Sequence, residues 1–473
     1  MGELADRTRW MDATDQAALV ASGEVSPVEL LDAAIERIEA LDGPLNAVNI
    51  RWFDRAREMA SGEVSGPFAG VPFLLKDLHA HMAGVPLTNG NRALRGEMPI
   101  SDHDTTLVRR FRDAGLIIAG RTTSPEMGTV PVTESLAWGP TRNPWDTDRT
   151  PGGSSGGAAA AVAAGMVPMA HASDGGGSIR IPAACCGLVG LKPTQGRITM
   201  GPDRHENGLG VELAVTRSVR DTAGLLAAVA GPSVGDAVIA PTSPVGYIDA
   251  LTRDPGRLRI GVLSGHPRGD EIDAECSEAA VLTARALEAL GHDVVESFPE
   301  VLADPSATRD FMAVWSANAA MGIAEFGRML GRPLTDDEVE PGNLALASFA
   351  GVQTARDYAA ALAAMGAYRR RCLQWWDDGF DLLLTPTLAE VPVLIGEHDE
   401  RPGDDLWPMK RAQQWVVFTP AFNVTGQPAI SLPMHRTPTG LPVGVQLVAA
   451  TGREDLLISV AAQLEQAVGW PHL

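Results

Sequence analysis

Apolar residues recur along the chain in two rhythms, one spaced like a helix face and one of short unbroken runs, and the two alternate. Near the start, Ser26-Pro27-Val28-Glu29 combines an N-cap residue, a proline at the first helical position and a capping-box glutamate. Val28, Leu31, Ile35 and Ile38 follow at helical spacing. Residues 1–60 read as helical, and Asp42-Gly43-Pro44 is expected to stop the helix. Further helices are predicted over 105–114, 218–230, 272–290, 309–330, 354–378 and 454–467. Short apolar runs predict strands at 73–75, 116–119, 258–263, 294–298, 381–387, 429–433 and 443–448. Strands alternating with helices indicate an α/β fold around a largely internal sheet. Composition never shifts sharply and no repeat is visible, so residues 1–473 are expected to form one domain. An irregular segment runs from 121 to 151, and a loop of that length inside a compact enzyme is usually functional. Trp375-Trp376 is expected in the core or a pocket wall.

The stretch 152–194 departs from both rhythms. It opens Gly152-Gly153-Ser154-Ser155-Gly156-Gly157, passes an alanine-rich run, and continues Ser173-Asp174-Gly175-Gly176-Gly177-Ser178-Ile179-Arg180. Two glycine-flanked serines, Ser154 and Ser178, thus lie 24 residues apart (178 − 154). Glycine admits positive φ and lets backbone N–H groups approach a ligand. A hydroxyl among such donors is what acyl transfer requires. A pair of flexible linkers would read similarly, but apolar segments surround both clusters and no polar tract accompanies them.

Composition narrows the field. The net charge of −21, from 59 acids against 38 bases, argues against a nucleic-acid surface. Of the four cysteines, Cys185 and Cys186 are adjacent and none forms a C-x-x-C pair, so neither a disulfide framework nor a zinc site is indicated. Both are expected to be small buried packing residues. The N-terminus has no basic start followed by an apolar segment, and the run 158–170 is too short to span a bilayer. A cytoplasmic protein without membrane contact is expected. Only three lysines occur, Lys76, Lys192 and Lys410; Lys76 sits at the end of a predicted buried strand. Burial can lower the pKa of a lysine, but arginine cannot give up its proton, so Lys76 is a candidate base.

Gly152-Gly-Ser154-Ser-Gly156 formally matches a nucleophile elbow, yet no strand can precede it through Asn143-Pro144-Trp145 and Pro151. No later histidine has a distinctive context: His435 follows a strand, and His205, His266, His292, His398 and His472 read as surface residues. A phosphate loop is excluded because no Gly-Lys-Ser/Thr follows the glycines. Lysine plus two serines remains.

These motifs resemble the amidase signature family. The likeness rests on Gly70-Val-Pro-Phe-Leu-Leu-Lys76-Asp77, on the two serine clusters, and on Gly187-Leu-Val-Gly-Leu-Lys-Pro-Thr194. It extends to Asn143-Pro-Trp145, Gln427-Pro-Ala-Ile-Ser-Leu-Pro433 and Gly440-Leu-Pro-Val-Gly-Val-Gln446, so it covers nearly the whole chain. The wording of 170–183 and 452–457 is most like the family's nylon-oligomer branch. The resemblance implies one domain with a mixed central sheet flanked on both faces by helices. It also implies a Ser-cisSer-Lys triad, with Ser178 as acyl-forming nucleophile, Ser154 on a cis peptide as the bridge, and Lys76 as base. The N–H groups of Gly175, Gly176, Gly177 and Ser178 would form the oxyanion hole. Asp174 and Arg180 would brace that loop, and Ser155 would bond Lys76 or its neighbours. Met127, Gly128 and Thr129 would contact substrate. Many members carry another residue where this chain has Gly175, so three consecutive glycines are read as loosening the loop.

The expected substrates are small-molecule amides, secondary, aryl or oligomeric, with esters and carbamates served by the same chemistry. Pocket residues selecting among them are expected from 300–420. No metal or organic cofactor is implied, and a homodimer is compatible with the sequence. Two alternatives stand beside this reading. One is the glutamine-amidase subunit of a tRNA-dependent amidotransferase, disfavoured because Gln195 stands where that branch usually has tyrosine. The other is a pseudo-amidase that only binds small amides.

Overall fold

In the computed structural model, which describes residues 1–204, 209–470 and 472–473, the Ser26 capping box opens a helix over Pro27–Leu45. Ser26 Oγ accepts the Glu29 N–H at 3.2 Å, and the Glu29 carboxylate accepts the Ser26 N–H at 2.8 Å. Two donors that a helix start would otherwise orphan are satisfied. Asp42-Gly43-Pro44 does not end the helix. Asn46 does, at φ 53°, two residues beyond the proline. The first sixty residues are also not wholly helical, because Val48–Arg51 forms strand β1. Val48 and Ile50 are buried and alternate with Asn49 and Arg51, a period of two that the helical windows obscure.

Two fully buried strands, β2 (Pro72–Lys76) and β3 (Ile117–Thr122), pair in parallel, and β1 joins the far side of β3 antiparallel. A short hairpin, β4 (Glu134–Ser135) and β5 (Gly139–Pro140), lies within the long loop. The larger sheet contains β6 (Met169–Asp174), β7 (Val189–Lys192), β8 (Val211–Thr216), β9 (Arg259–Val262) and β10 (Asp293–Glu296). β11 (Leu382–Pro386), β12 (Ala429–Arg436) and β13 (Pro442–Ala449) complete it. Their order is β10-β9-β11-β13-β12-β7-β8-β6. β10, β9 and β11 are parallel and the remaining neighbours antiparallel, so the sheet is mixed. Helices flank it. β2 lies along β6 where the two sheets meet, and the His171 ring accepts the Lys76 N–H there at 3.3 Å.

β6, β7 and β8 lie outside the predicted strands: β8 carries a period of two in Val211, Leu213 and Val215, whereas Met169-Ala-His-Ala-Ser-Asp174 of β6 mixes small and polar residues with apolar ones. All six positions are nevertheless buried. The helix Gly156–Ala163 is buried at every position; its alanine surface lets it lie close against β2, β3 and β6. Trp375 and Trp376 belong to a core cluster with Tyr368, Phe422 and Val424. The four cysteines are free and buried. A helix over Pro341–Val352 escaped the apolar pattern, since only Asn343 and Leu346 of it are buried. Among the described residues, no helix is long and apolar enough to cross a membrane.

Candidate active site

Strand β2 delivers Lys76 to the interior with no exposed surface. Its Nζ lies 2.7 Å from Ser154 Oγ and 2.9 Å from Ser173 Oγ. Burial strips solvent from the ammonium and pushes its pKa from 10.5 down to about 7. The carboxylates of Glu212 and Asp174 pull it upward, and Arg204 lowers it further. A neutral fraction able to take a proton therefore exists near pH 7.

Ser154 follows a cis peptide after Gly153. A Cβ at residue 153 would stand 2.6 Å from the Val132 carbonyl oxygen, so only glycine lets the two backbones pass this closely. Ser155 does not reach Lys76. Its Oγ accepts the Ser173 N–H and donates to the Ser173 carbonyl, each at 3.3 Å, and so ties the turn to β6. Pleating along β6 puts His171 and Ser173 on the Lys76 side and Asp174 on the other. His171 and Ser173 were not singled out from the sequence, although their two-residue spacing on one strand was the available signal.

Beyond β6 the chain turns through the three glycines to Ser178. Asp174 and Arg180 form a bidentate pair, Nε to Oδ2 and Nη2 to Oδ1 both at 2.9 Å, with neither side chain exposed. Burial alone would push the Asp174 pKa up, but Arg180 and the amide of Asn423 bring it down to about 2. The Asp174 carboxylate also accepts the N–H groups of Gly177 at 2.7 Å and Ile179 at 3.3 Å. Thr419 Oγ1 donates to the Gly176 carbonyl at 2.7 Å, and Asn423 Nδ2 donates to the Asp174 carbonyl at 3.1 Å. The triple glycine is therefore clamped rather than loose. The Gly177 N–H is engaged by Asp174, whereas those of Gly175, Gly176 and Ser178 meet no acceptor among the described residues. Thr419, Asn423 and Gln446, which accepts from Arg180 at 2.6 Å, come from 239–266 residues away and left no local signal.

Ser178 and Gly176 line an open cleft. Gly128 and Thr129 line it as well. Met127 does not; its sulfur packs against Gly322 in the helix Ser306–Leu330. Phe311, Met312 and Trp315 from that helix wall the cleft, and Arg268 and Asp304 stand at the same lining. His266 joins them there instead of facing open solvent. His292 and His398 are buried, contrary to the surface reading, while His472 is exposed and His205 lies outside the described residues. Lys192 is buried and donates to the Pro193 carbonyl at 2.9 Å. Among the described residues, no three His, Cys, Asp or Glu side chains converge as a metal site.

The family model for amidases matches residues 29–458. A 6-aminohexanoate-cyclic-dimer hydrolase of Paenarthrobacter ureafaciens is 46% identical over 471 residues, covering 98% of this chain and 95% of that protein. The solved structure of a 6-aminohexanoate cyclic dimer hydrolase matches with TM-score 0.94 at 45% identity over 98% of both chains. A bacterial aryl acylamidase structure matches at TM-score 0.87 and 28% identity, over 98% of this chain and 97% of that one. With its buried lysine, paired serine turns and clamped glycine loop, this chain belongs to the amidase signature family and is a hydrolase of amide carbon–nitrogen bonds.

Proposed function

We infer that Ser178 attacks the amide carbonyl, Ser154 relays the proton and Lys76 receives it. The observation that carries this reading is a wholly buried lysine 2.7 Å from Ser154 Oγ, behind a cleft with Ser178 on its wall. Neutral Lys76 draws the Ser154 proton while Ser154 takes that of Ser178, because a hydroxyl both donates and accepts. The Ser178 Oγ–carbonyl bond forms, and charge accumulates on the carbonyl oxygen. The N–H groups of Gly175, Gly176 and Ser178 are free to receive that charge, and Gly177 holds the loop to Asp174. A donor of this kind contributes about 3 kcal/mol in enzymes where it has been removed. Collapse breaks the C–N bond as protonated Lys76 returns its proton, through Ser154, to the leaving nitrogen. Water then enters, loses a proton by the same route and releases the acid from Ser178.

The apolar walls fit secondary, aryl or oligomeric amides, with carbamates and esters open to the same acyl-enzyme route. The test is mass-spectrometric product analysis on glutamine, primary amides, anilides, cyclic and linear aminohexanoate oligomers and aryl carbamates. It is run with wild type and with Ser178→Ala. Cleavage of secondary amides or carbamates by wild type alone is expected. Turnover retained by Ser178→Ala overturns the mechanism, and ammonia from glutamine alone overturns the substrate class.

A further inference from the structure

The three loop glycines are glycine for different reasons. Gly177 sits at φ 137°, where a side chain is strained whatever the space. Gly175 and Gly176 carry no positive φ, so backbone conformation does not demand glycine there. What lies against them is aromatic. A Cβ on Gly175 would stand 3.1 Å from Trp315 Cζ3 and 3.3 Å from its Cη2, tighter than ordinary carbon contact. A Cβ on Gly176 would stand 3.4 Å from Phe311 Cζ. The two rings stack with centroids 5.2 Å apart at 23°. The indole also packs against Ala319, Leu346 and Met409, so moving it away from residue 175 disturbs those contacts. Both rings line the cleft together with Ser178.

We propose that Phe311 and Trp315 select the apolar group flanking the scissile carbonyl, an aryl ring or polymethylene chain, and that residue 175 is glycine because a side chain there displaces the indole. The inference rests on Ser178 as nucleophile. A carbonyl held at Ser178 has its substituents within a bond or two of the loop, and the surface meeting the loop is this aromatic ridge.

The test uses the full-length enzyme as wild type, Trp315→Ala, Gly175→Ala and the double variant. One series of p-nitroanilides varies the acyl group from acetyl to hexanoyl and benzoyl; a second series of acetamides varies the amine. Trp315→Ala should lower the kcat/KM ratio of the largest to the smallest substrate by about tenfold in one series. A ratio within about twofold of wild type in both series overturns the selection. Gly175→Ala should lower kcat/KM by about tenfold in wild type but less than about threefold on top of Trp315→Ala. Simple additivity of the two losses overturns the packing argument. The same cycle is read in Tm, where Gly175→Ala should cost about 1–3 °C with Trp315 present and less without it. Labelling of Ser178 by a fluorophosphonate separates the two failures. Without labelling the nucleophile assignment falls, and the Tm cycle still decides the Gly175–Trp315 packing.

Discussion

Replacing Lys76 by methionine removes the base and keeps the volume. It should make the protein more stable at acid pH while destroying its activity. The buried lysine has its pKa moved from 10.5 to about 7, so the unfolded chain binds a proton that the native state releases between those values. Wild-type stability from this group therefore rises as pH climbs through that window. At about 1.4 kcal/mol per tenfold change in protonation, the penalty is about 5 kcal/mol at pH ~6 and about 1.5 kcal/mol at pH ~9.5. Methionine abolishes it but leaves the Ser154 and Ser173 hydroxyls without their partner, a loss of about 1 kcal/mol each. Net, Lys76→Met should be more stable than wild type by about 3 kcal/mol at pH ~6 and close to it at pH ~9.5. Lys192 titrates identically in both proteins and cancels. The assay is urea unfolding followed by tryptophan fluorescence at the two pH values, beside kcat on a good amide. A difference that does not shrink as pH rises would refute the reasoning. So would a wild-type kcat/KM that stays flat below pH ~7, where each pH unit should lose about tenfold.

Three further perturbations follow from the same geometry. Ser178→Ala should lower kcat by on the order of 10³-fold or more with the urea midpoint unchanged, because the hydroxyl serves chemistry and not packing; a large loss of stability would count against that separation. Asp174→Asn should cost about 3–5 kcal/mol in urea unfolding, since it leaves the buried Arg180 guanidinium without its counter-charge. A loss under about 1 kcal/mol would mean that the pair is not what clamps the loop. Glu212→Gln removes a carboxylate that pulls the Lys76 pKa upward, so the acid limb of kcat/KM should move to lower pH. Movement to higher pH would reverse the assigned sign.

The side chains proposed for catalysis were legible in the sequence because each requires a rare local arrangement. A lysine closing an apolar strand in a chain with two others, and hydroxyls set among glycines, have few structural explanations. The helices of 27–45, 106–113 and 355–377 were legible for the same kind of reason, as capping residues and apolar spacing act within a few residues of each other. Strand β6 was not, because its small and polar side chains are buried by strands and helices far away in sequence, and no local period records that; β8 does carry a period of two in Val211, Leu213 and Val215. Met127 shows the same limit: its neighbours Gly128 and Thr129 face the cleft, but its own direction was settled by Gly322 on a distant helix.

By itself, then, the sequence determined the family, the candidate catalytic set and most of the regular elements, since all depend on residue type and short-range spacing. Tertiary structure alone decided the electrostatics of the site and the walls of the cleft. The Lys76 pKa falls to about 7 because its burial among β2, β3 and β6 strips water from the ammonium. The glycine loop is held by hydrogen bonds from Thr419 and Asn423, which arrive from the far end of the chain. The cleft is aromatic beside Ser178 because the helix Ser306–Leu330 crosses the loop at Gly175 and Gly176. Burial and long-range contact are properties of the packed whole, and no window of sequence contains them.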